Sequence, residues 1–372
     1  MKVVHWGSLD TKSGGPALST YLTLKGLMSM GVDASIVCHP LSASGHLIGS
    51  DVEIKFSEPI KEPRFGYIPR LGKTLNDVGL PDIYHIQGLW QYPGHKMASF
   101  ARKHRVPYVV TLRGMMYPQA LAHSAKVKKV SLALYQRHDL VHAAAIQCTC
   151  EEEMEHYRAM GFKNPVAIIP NPVEMPESAV RVIPTTFTIG YLGRLHPRKR
   201  VERLIYALQG LPNAHLIIIG GNDEVYEQFL RNEASRLGLC DRVEFAGFLV
   251  GEAKADAIRS LSVLAVPSDF ENFGNIVTEA LSYKVPVIAS KGMPWQVLTE
   301  KDCGWWIDND QSTINKTLQA VSELSDEQLI AMGERGYDLV QREFSVEALG
   351  EKMRDLYRWV FEGGELPEFV YV

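Results

Sequence analysis

Short apolar runs alternate with amphipathic stretches from one end of the chain to the other. Residues 3–6, 34–37, 83–86, 108–111, 145–148 and 166–169 are mostly apolar or β-branched and are bounded by polar or turn residues. Runs that short, without strict alternation, predict strands buried on both faces. Between several of them, residues 17–30 and 96–104 repeat apolar positions at helical spacing. A second series places strands at 188–192, 215–219, 243–245, 263–266, 286–289 and 305–307, with helical patterns such as 201–208 and 224–237 between them. Strands alternating with helices imply parallel sheets covered on both faces, and two such series imply two doubly wound α/β domains.

Pro170, Pro172, Pro176 and Pro184 fall within fifteen residues that hold few helix formers. Such a segment reads as a linker. The expected organisation is a first domain over 1–170, a linker over 171–184, a second domain over 185–345 and a terminal segment over 346–372. In that last segment Leu349, Met353, Leu356 and Tyr357 share one face of a helix. Two doubly wound sheets in tandem place a cleft between two rows of strand carboxyl ends, where such sheets bind ligands at helix N-termini.

Composition narrows the class. The 372 residues are 46% hydrophobic and 22% charged, enough for two ordinary cores. No run approaches the roughly 18 to 20 apolar residues of a membrane span. The N-terminal apolar run is too short for a signal peptide and reads as a first strand. Five scattered cysteines do not form a disulfide framework, so a reducing, cytoplasmic setting is expected. Charge is uneven. Residues 1–170 carry 19 Lys and Arg against 13 Asp and Glu, although the whole chain is at −4. A basic first half suggests an anionic partner such as a lipid phosphate or a membrane surface, with a merely solvated basic face as the alternative. No nucleic-acid partner is expected.

The strongest chemical signal runs from Ser268 to Leu281. It follows an apolar strand and enters a helix near Asn275, whose free N–H groups and positive dipole end suit a phosphate. Gly274 permits close approach of a ligand to the backbone. Glu271, in the loop, is placed for a sugar hydroxyl, and Glu279, inside the helix, for ribose hydroxyls. A second signal, Gly193-Arg194-Leu195-His196-Pro197-Arg198-Lys199-Arg200, follows the first strand of the second series. Arg194 offers a planar fork and Lys199 a point charge to a diphosphate. Arg198 and Arg200 read as more exposed. The triplet Asp308-Asn309-Asp310 matches a metal-binding pattern, but Asp310 precedes a helical stretch and reads better as its N-cap. No metal or other cofactor is expected.

The Gly-Arg-Leu-x-Pro-x-Lys segment together with the two glutamates eight apart resembles the retaining glycosyltransferase family 4, of the GT-B fold. Further likenesses lie in Asp82–Trp90, in Pro107–Met116, which resembles a version found among bacterial surface-polysaccharide enzymes, and in Ile168–Val173. The fold this implies is two Rossmann-like domains with a terminal helix crossing back onto the first. Residue by residue, the resemblance implies that Arg194 and Lys199 hold the donor diphosphate with the backbone at Phe273, Gly274, Asn275 and Ile276. Glu271 would hold the donor sugar and Glu279 the ribose. Gly247, Phe248 and Leu249 would contact the base, and Gly15, in Gly14-Gly15-Pro16, the donor phosphates.

His85, at a strand end, is a candidate for binding sugar or an acceptor hydroxyl, with a satisfied core histidine as the equal alternative. Arg113 stands where many relatives carry a cleft histidine, and is a candidate contact for a phosphate or an anionic acceptor. Gln87 likewise replaces a frequent second histidine. Lys128 and Lys129 open a helix and are candidates for a lipid diphosphate or membrane surface, against a solvated face.

The resemblance implies a retaining transfer of a hexose from a nucleoside-diphosphate sugar, UDP preferred over GDP. The acceptor would be a saccharide carried on a lipid, at the cytoplasmic face of the inner membrane. The alternatives are a UDP-sugar epimerase of the same fold and a non-catalytic nucleotide-sugar-binding subunit. Intact Glu271, Arg194 and Lys199 argue against the latter.

Overall fold

The structure is a computed structural model that describes all residues except 44, 50, 63–64, 179–180 and 182. The chain divides into two compact units, Met1–Pro172 with Ser345–Val372, and Val173–Phe344.

The first unit is built on an eight-stranded sheet. Its parallel strands are β1 (Lys2–Gly7), β2 (Asp33–Cys38), β3 (Glu53–Phe56), β4 (Ile83–Gln87), β5 (Tyr108–Thr111), β6 (Ala145–Cys148) and β7 (Val166–Ile168). The order is β7-β6-β5-β4-β1-β2-β3, and Val370–Tyr371 adds an antiparallel edge to β7. The second unit holds β8 (Thr188–Leu192), β9 (His215–Ile219), β10 (Val243–Gly247), β11 (Val263–Val266), β12 (Val287–Ser290) and β13 (Gly304–Ile307), all parallel, in the order β10-β9-β8-β11-β12-β13. Both sheets are thus Rossmann-like, and strand order reverses between β1 and β4 and between β8 and β11. Open α/β sheets bind ligands beyond the strand carboxyl ends at that reversal, because the flanking loops diverge there.

Two strands lack the apolar run that marks the others. β3 is an edge strand with Glu53 and Phe56 exposed, so its sequence is not selected for double burial. Val370–Tyr371 is too short to carry a pattern. The remaining strands fall where the apolar runs place them, the central ones because both their faces are covered, while β10 and β13 at the edges of the second sheet are only partly buried.

On β1 and β4 the faces separate cleanly. Val4, Trp6, Tyr84 and Ile86 join one core cluster, Val3 and Ile83 another. The second face is closed by the Gly15–Ser29 helix and by the terminal helix Val346–Glu362, which buries Leu349, Met353, Leu356 and Tyr357. These two helices touch through glycines. A Cβ on Gly26 would lie 2.6 Å from the Val346 carbonyl oxygen, and one on Gly350 would lie 2.8 Å from the Gly26 backbone. The terminal helix starts where Ser345 accepts from the Ala348 N–H at 3.1 Å. Among the described residues, no helix is long and apolar enough to cross a membrane.

Candidate active site

In the second unit the loops after β8 and β11 meet at the reversal of strand order. The Asp269 N–H donates to the Arg198 carbonyl at 2.8 Å, tying the two loops together. Across this tie the Lys199 ammonium pairs with Glu271 Oε1, with side chains only 10% and 13% exposed. The Ser268 hydroxyl also donates to Glu271 Oε1, at 3.2 Å. The Glu271 N–H is anchored on the Gly292 carbonyl at 2.8 Å. Burial, followed by the charges of Arg198 and Arg194, pushes Lys199 down from 10.5 to about 7. The adjoining Glu271 carboxylate works in the opposite direction, favouring the ammonium.

Arg194 and Arg198 are exposed, and neither guanidinium has a partner among the described residues. Arg200 is more committed than its sequence suggests: its Nε donates to Asp269 Oδ2 at 2.7 Å, which braces the same loop tie.

A glycine floor lies beside this pair. Gly193 and Gly220 directly follow β8 and β9 and Gly247 ends β10, with φ values of 140°, 142° and 70°. The Gly193 N–H donates to the Ile219 carbonyl at 2.9 Å and the Gly220 N–H to the Gly247 carbonyl at 2.7 Å. A Cβ on Gly220 would sit 1.8 Å from the Gly193 carbonyl oxygen. Only backbone fits there, which leaves the strand ends open to a flat ligand. Sequence reasoning singled out Gly247 and missed Gly220. Its signal was a glycine immediately after the run Ile217-Ile218-Ile219.

Gly274 adopts the left-handed conformation (φ 85°) and caps the Asn275–Ser282 helix. The first helical N–H groups, from Asn275 onward, belong to the half-buried start of that helix. The Phe273 side chain is buried against Trp295, ring centroids 5.1 Å apart, and its carbonyl accepts from Trp295 Nε1 at 2.5 Å. Phe273 therefore serves the loop as an anchor, and its ring is not offered to a ligand. Glu279 is held by Lys254, Nζ to Oε2 2.7 Å. Phe248 is 75% exposed beside Gly247, while Leu249 packs partly into the core. Asp310 caps the Gln311–Ser322 helix, accepting from the Thr313 N–H at 3.0 Å, and Asp308 pairs with Lys291 at 2.8 Å.

The remaining sequence candidates lie in the first unit. Gly15 opens the Gly15–Ser29 helix directly after the left-handed Gly14 (φ 64°). His85 requires a correction. It is fully buried on the β4 face that packs against the terminal helix, with both ring nitrogens hydrogen-bonded, so it is a satisfied core histidine. Strand alternation sends it there, since Tyr84 and Ile86 take the opposite face.

His85 belongs to a one-way chain of hydrogen bonds. Arg113 donates to Gln87 Oε1 (2.8 Å), and Gln87 Nε2 to His5 Nδ1 (3.4 Å). His5 Nε2 then donates to Tyr357 Oη (3.0 Å), and Tyr357 to His85 Nδ1 (2.5 Å). His85 Nε2 donates to Thr111 Oγ1 (2.6 Å), Thr111 to Gln147 Oε1 (2.7 Å) and Gln147 to the Ile169 carbonyl (2.9 Å). The direction follows from the fixed donors at either end, Arg113 and the Gln147 amide. It makes both histidines neutral with the proton on Nε2. Burial, then the Arg113 charge, holds His5 down to about 3, and burial holds His85 well below its ordinary value.

Arg113, also in the left-handed region (φ 55°), is itself half-buried. Its guanidinium already donates to Gln87 Oε1, Ser19 Oγ (2.7 Å), Asn171 Oδ1 (2.7 Å) and Thr20 Oγ1 (3.2 Å). Those bonds use all five N–H groups, so a phosphate at Arg113 has to displace one of them. Burial, opposed by Glu153, pushes it down to about 10. Lys129 is exposed. Lys128 is half-buried, with Nζ 5.8 Å from the Trp90 ring centroid and a hydrogen bond to the Ala120 carbonyl.

Two family models match the chain. That of glycosyl transferases group 1 matches residues 177–339, and that of the glycosyl transferase 4-like domain matches residues 14–172. The chain belongs to the group 1, family 4 glycosyltransferases.

Similar proteins include a D-inositol 3-phosphate glycosyltransferase of Mycobacteroides abscessus, 32% identical over 120 residues, which are 30% of this chain and 27% of the relative. The lipopolysaccharide core biosynthesis glycosyltransferase LpsE of Rhizobium meliloti is 27% identical over 162 residues, 42% of this chain and 46% of the relative. The chain thus spans less than half the length of these curated relatives. Among solved structures, Anabaena HepE in complex with UDP and glucose is similar with a TM-score of 0.76 at 18% identity, covering 96% of this chain and 99% of that one. WaaG, a glycosyltransferase involved in lipopolysaccharide biosynthesis, has a TM-score of 0.69 at 14% identity, covering 98% and 100%. At these identities the likeness shows the fold, the GT-B fold of two Rossmann-like domains expected for this family.

Proposed function

We propose that this family 4 glycosyltransferase transfers a hexose, with retention of configuration, from a nucleoside-diphosphate sugar to a saccharide acceptor. UDP is the preferred donor nucleotide. The observation that carries this reading is the buried Lys199–Glu271 pair at the β8/β11 reversal, beside the unpartnered Arg194 and the Gly274 helix start. Lys199 and Arg194 receive the diphosphate together with backbone N–H groups at Gly274, Asn275 and Ile276. Glu271 accepts from donor-sugar hydroxyls, and Glu279, turning from Lys254, accepts from the ribose. Gly247, Phe248 and Leu249 flank the base.

As the C1–oxygen bond to the diphosphate breaks, negative charge grows on the leaving oxygen. Fixed cations and the helix dipole stabilise it without reorganisation. The acceptor oxygen bonds to C1 on the face the diphosphate leaves, and its proton passes to that phosphate oxygen. No protein side chain is needed as a covalent nucleophile.

The acceptor is a lipid-linked saccharide in surface-polysaccharide assembly, met at the cytoplasmic membrane face. The 125–141 helical stretch supports this. Val127, Val130 and Leu134 are exposed there (66%, 57% and 76%) beside exposed Lys126, Lys129 and Arg137, with no acid on that face. Apolar side chains interleaved with cations suit an anionic bilayer surface. LpsE and WaaG, both glycosyltransferases of lipopolysaccharide biosynthesis, support this class of role, and the HepE complex with UDP supports the donor nucleotide.

The test is binding and slow hydrolysis of a panel of UDP-, GDP- and ADP-sugars in EDTA. One clear responder is expected. Glu271→Ala should abolish turnover while weakening UDP binding by less than about tenfold. If no nucleotide sugar binds, or if the variant turns over like wild type, the donor-site reading fails. Conversion of the donor to another nucleotide sugar would favour an epimerase.

A further inference from the structure

The first unit contains a cavity of about 790 Å³ that the donor site does not use. It runs inward beneath the 125–141 helical stretch, with a floor of Trp6, Ile86, Leu89, Ala98, Val110 and Met115. Trp6, Ile86, Val110 and Ala98 come from β1, β4, β5 and the helix Tyr92–His104, on the sheet face opposite His85, and Leu89 and Met115 from the loops after β4 and β5. Its mouth is edged by Phe65 and Val127, which are 39% and 66% exposed. The size falls in the range of pockets that enclose a small ligand, roughly 300–1,000 Å³.

The chemistry of the wall selects the ligand. Its buried polar groups are mostly spent: Gln136 Oε1 accepts from the Trp90 N–H at 2.7 Å, and the Asp139 carboxylate is held by His95 and Arg102, each at 2.8 Å. A saccharide in this cavity would bury hydroxyls against hydrocarbon, which costs free energy for each unmade hydrogen bond. A hydrocarbon chain would gain from the same surface.

Two donors remain near the mouth. Trp90 Nε1 is buried with no partner, and Lys128 Nζ lies 5.8 Å from the same ring, having spent one N–H on Ala120. An indole N–H and an ammonium from two residues of the same cavity wall offer two donors to a phosphate oxygen. The exposed apolar and cationic face of 125–141 continues from this mouth through Val127, so a chain resting in a bilayer could enter it directly.

We propose that this cavity holds the hydrocarbon chain of a phosphate-bearing lipid, with its phosphate at Lys128 and Trp90. The proposal deepens the reading of a lipid-linked acceptor and rests on it for biological meaning. It makes the chain itself, and not only the terminal sugar, part of what the enzyme recognises.

The test uses the full chain and tryptophan fluorescence, since Trp6 and Trp90 both line the cavity. Three probes are titrated below their micellar concentrations: farnesyl diphosphate, isopentenyl diphosphate and dodecyl phosphate. Each buried CH2 contributes about 0.8 kcal/mol, so farnesyl diphosphate should bind at least about tenfold tighter than isopentenyl diphosphate. Whether the prenyl or the straight chain binds tighter identifies the lipid class, and either preference supports the proposal.

Ala98→Phe, which fills the floor, should erase the long-chain preference with the thermal unfolding profile unchanged. Should that variant unfold, Val127→Glu provides the same test: it puts a carboxylate where the chain enters, and burying that charge beside hydrocarbon should cut the long-chain preference by about fivefold or more. Equal affinity for long and short chains, or an undiminished preference in the variants, overturns the proposal. UDP binding measured on the same samples separates the two readings. UDP binding without chain preference leaves the transferase and removes the lipid cavity; chain preference without UDP binding does the reverse.

Discussion

Replacing Lys199 with methionine probes the centre of the proposed donor site. Lys199 and Glu271 bury each other, with side chains 10% and 13% exposed. Removing the ammonium leaves Glu271 with the Ser268 hydroxyl at 3.2 Å as its remaining side-chain partner. Breaking one half of a buried pair costs about 3–5 kcal/mol in a dry interior. Partial solvent access puts the expectation for Lys199→Met at the low end, about 2–3 kcal/mol. Glu271→Gln removes the opposite charge and should cost about 1–2 kcal/mol.

The double variant has no unpaired charge, so its loss should be smaller than the sum of the single losses by at least about 1.5 kcal/mol. Urea unfolding of all four proteins, followed by a probe in the second unit, supplies the cycle. UDP titration on the same samples gives the functional half. Lys199→Met loses a charge-assisted contact to the diphosphate worth about 1.5–3 kcal/mol, or roughly 10- to 150-fold in affinity. If the single effects add to within about 0.5 kcal/mol, the two side chains are not coupled and the site as described is wrong.

Three further outcomes follow from the packing. His5 is held at about 3 and His85 well below its ordinary 6.5, so between those limits the unfolded chain binds more protons than the folded one. Stability therefore rises with pH in that window, and acidification below about 6.5 should cost about 1.4 kcal/mol per pH unit for each such histidine. A flat urea midpoint between pH 6.5 and 4.5 would contradict this. Gly350→Ala forces a methyl into the Gly26 backbone and should lower the stability of the first unit by about 1–3 kcal/mol, as in overpacking. UDP affinity should be unchanged, and hydrogen exchange of Val346–Glu362 would show whether the helix loosens. Gly220→Ala meets the Gly193 carbonyl at a φ of 142°, so UDP affinity should fall by an order of magnitude or more; wild-type titration would show that the glycine floor is not part of the donor site.

The sequence alone determined the two doubly wound units, because a parallel strand buried on both faces must be a short apolar run and its crossover helix must carry an apolar stripe. It also singled out Arg194, Lys199, Glu271 and Gly274 as candidate donor motifs, because each lies in a loop that directly follows such a strand. It could not settle His85. A histidine at a strand end faces either a ligand or the core, and that choice depends on which helix covers that face of the sheet. Tyr357, 272 residues away, takes its Nδ1.

Arg113 is the same kind of case: all five of its N–H groups are claimed by residues from three segments far apart in sequence, Ser19 and Thr20, Gln87, and Asn171. The glycine floor and the cavity beneath 125–141 were equally invisible, because both consist of space between strands and helices, and only packing decides where space is left.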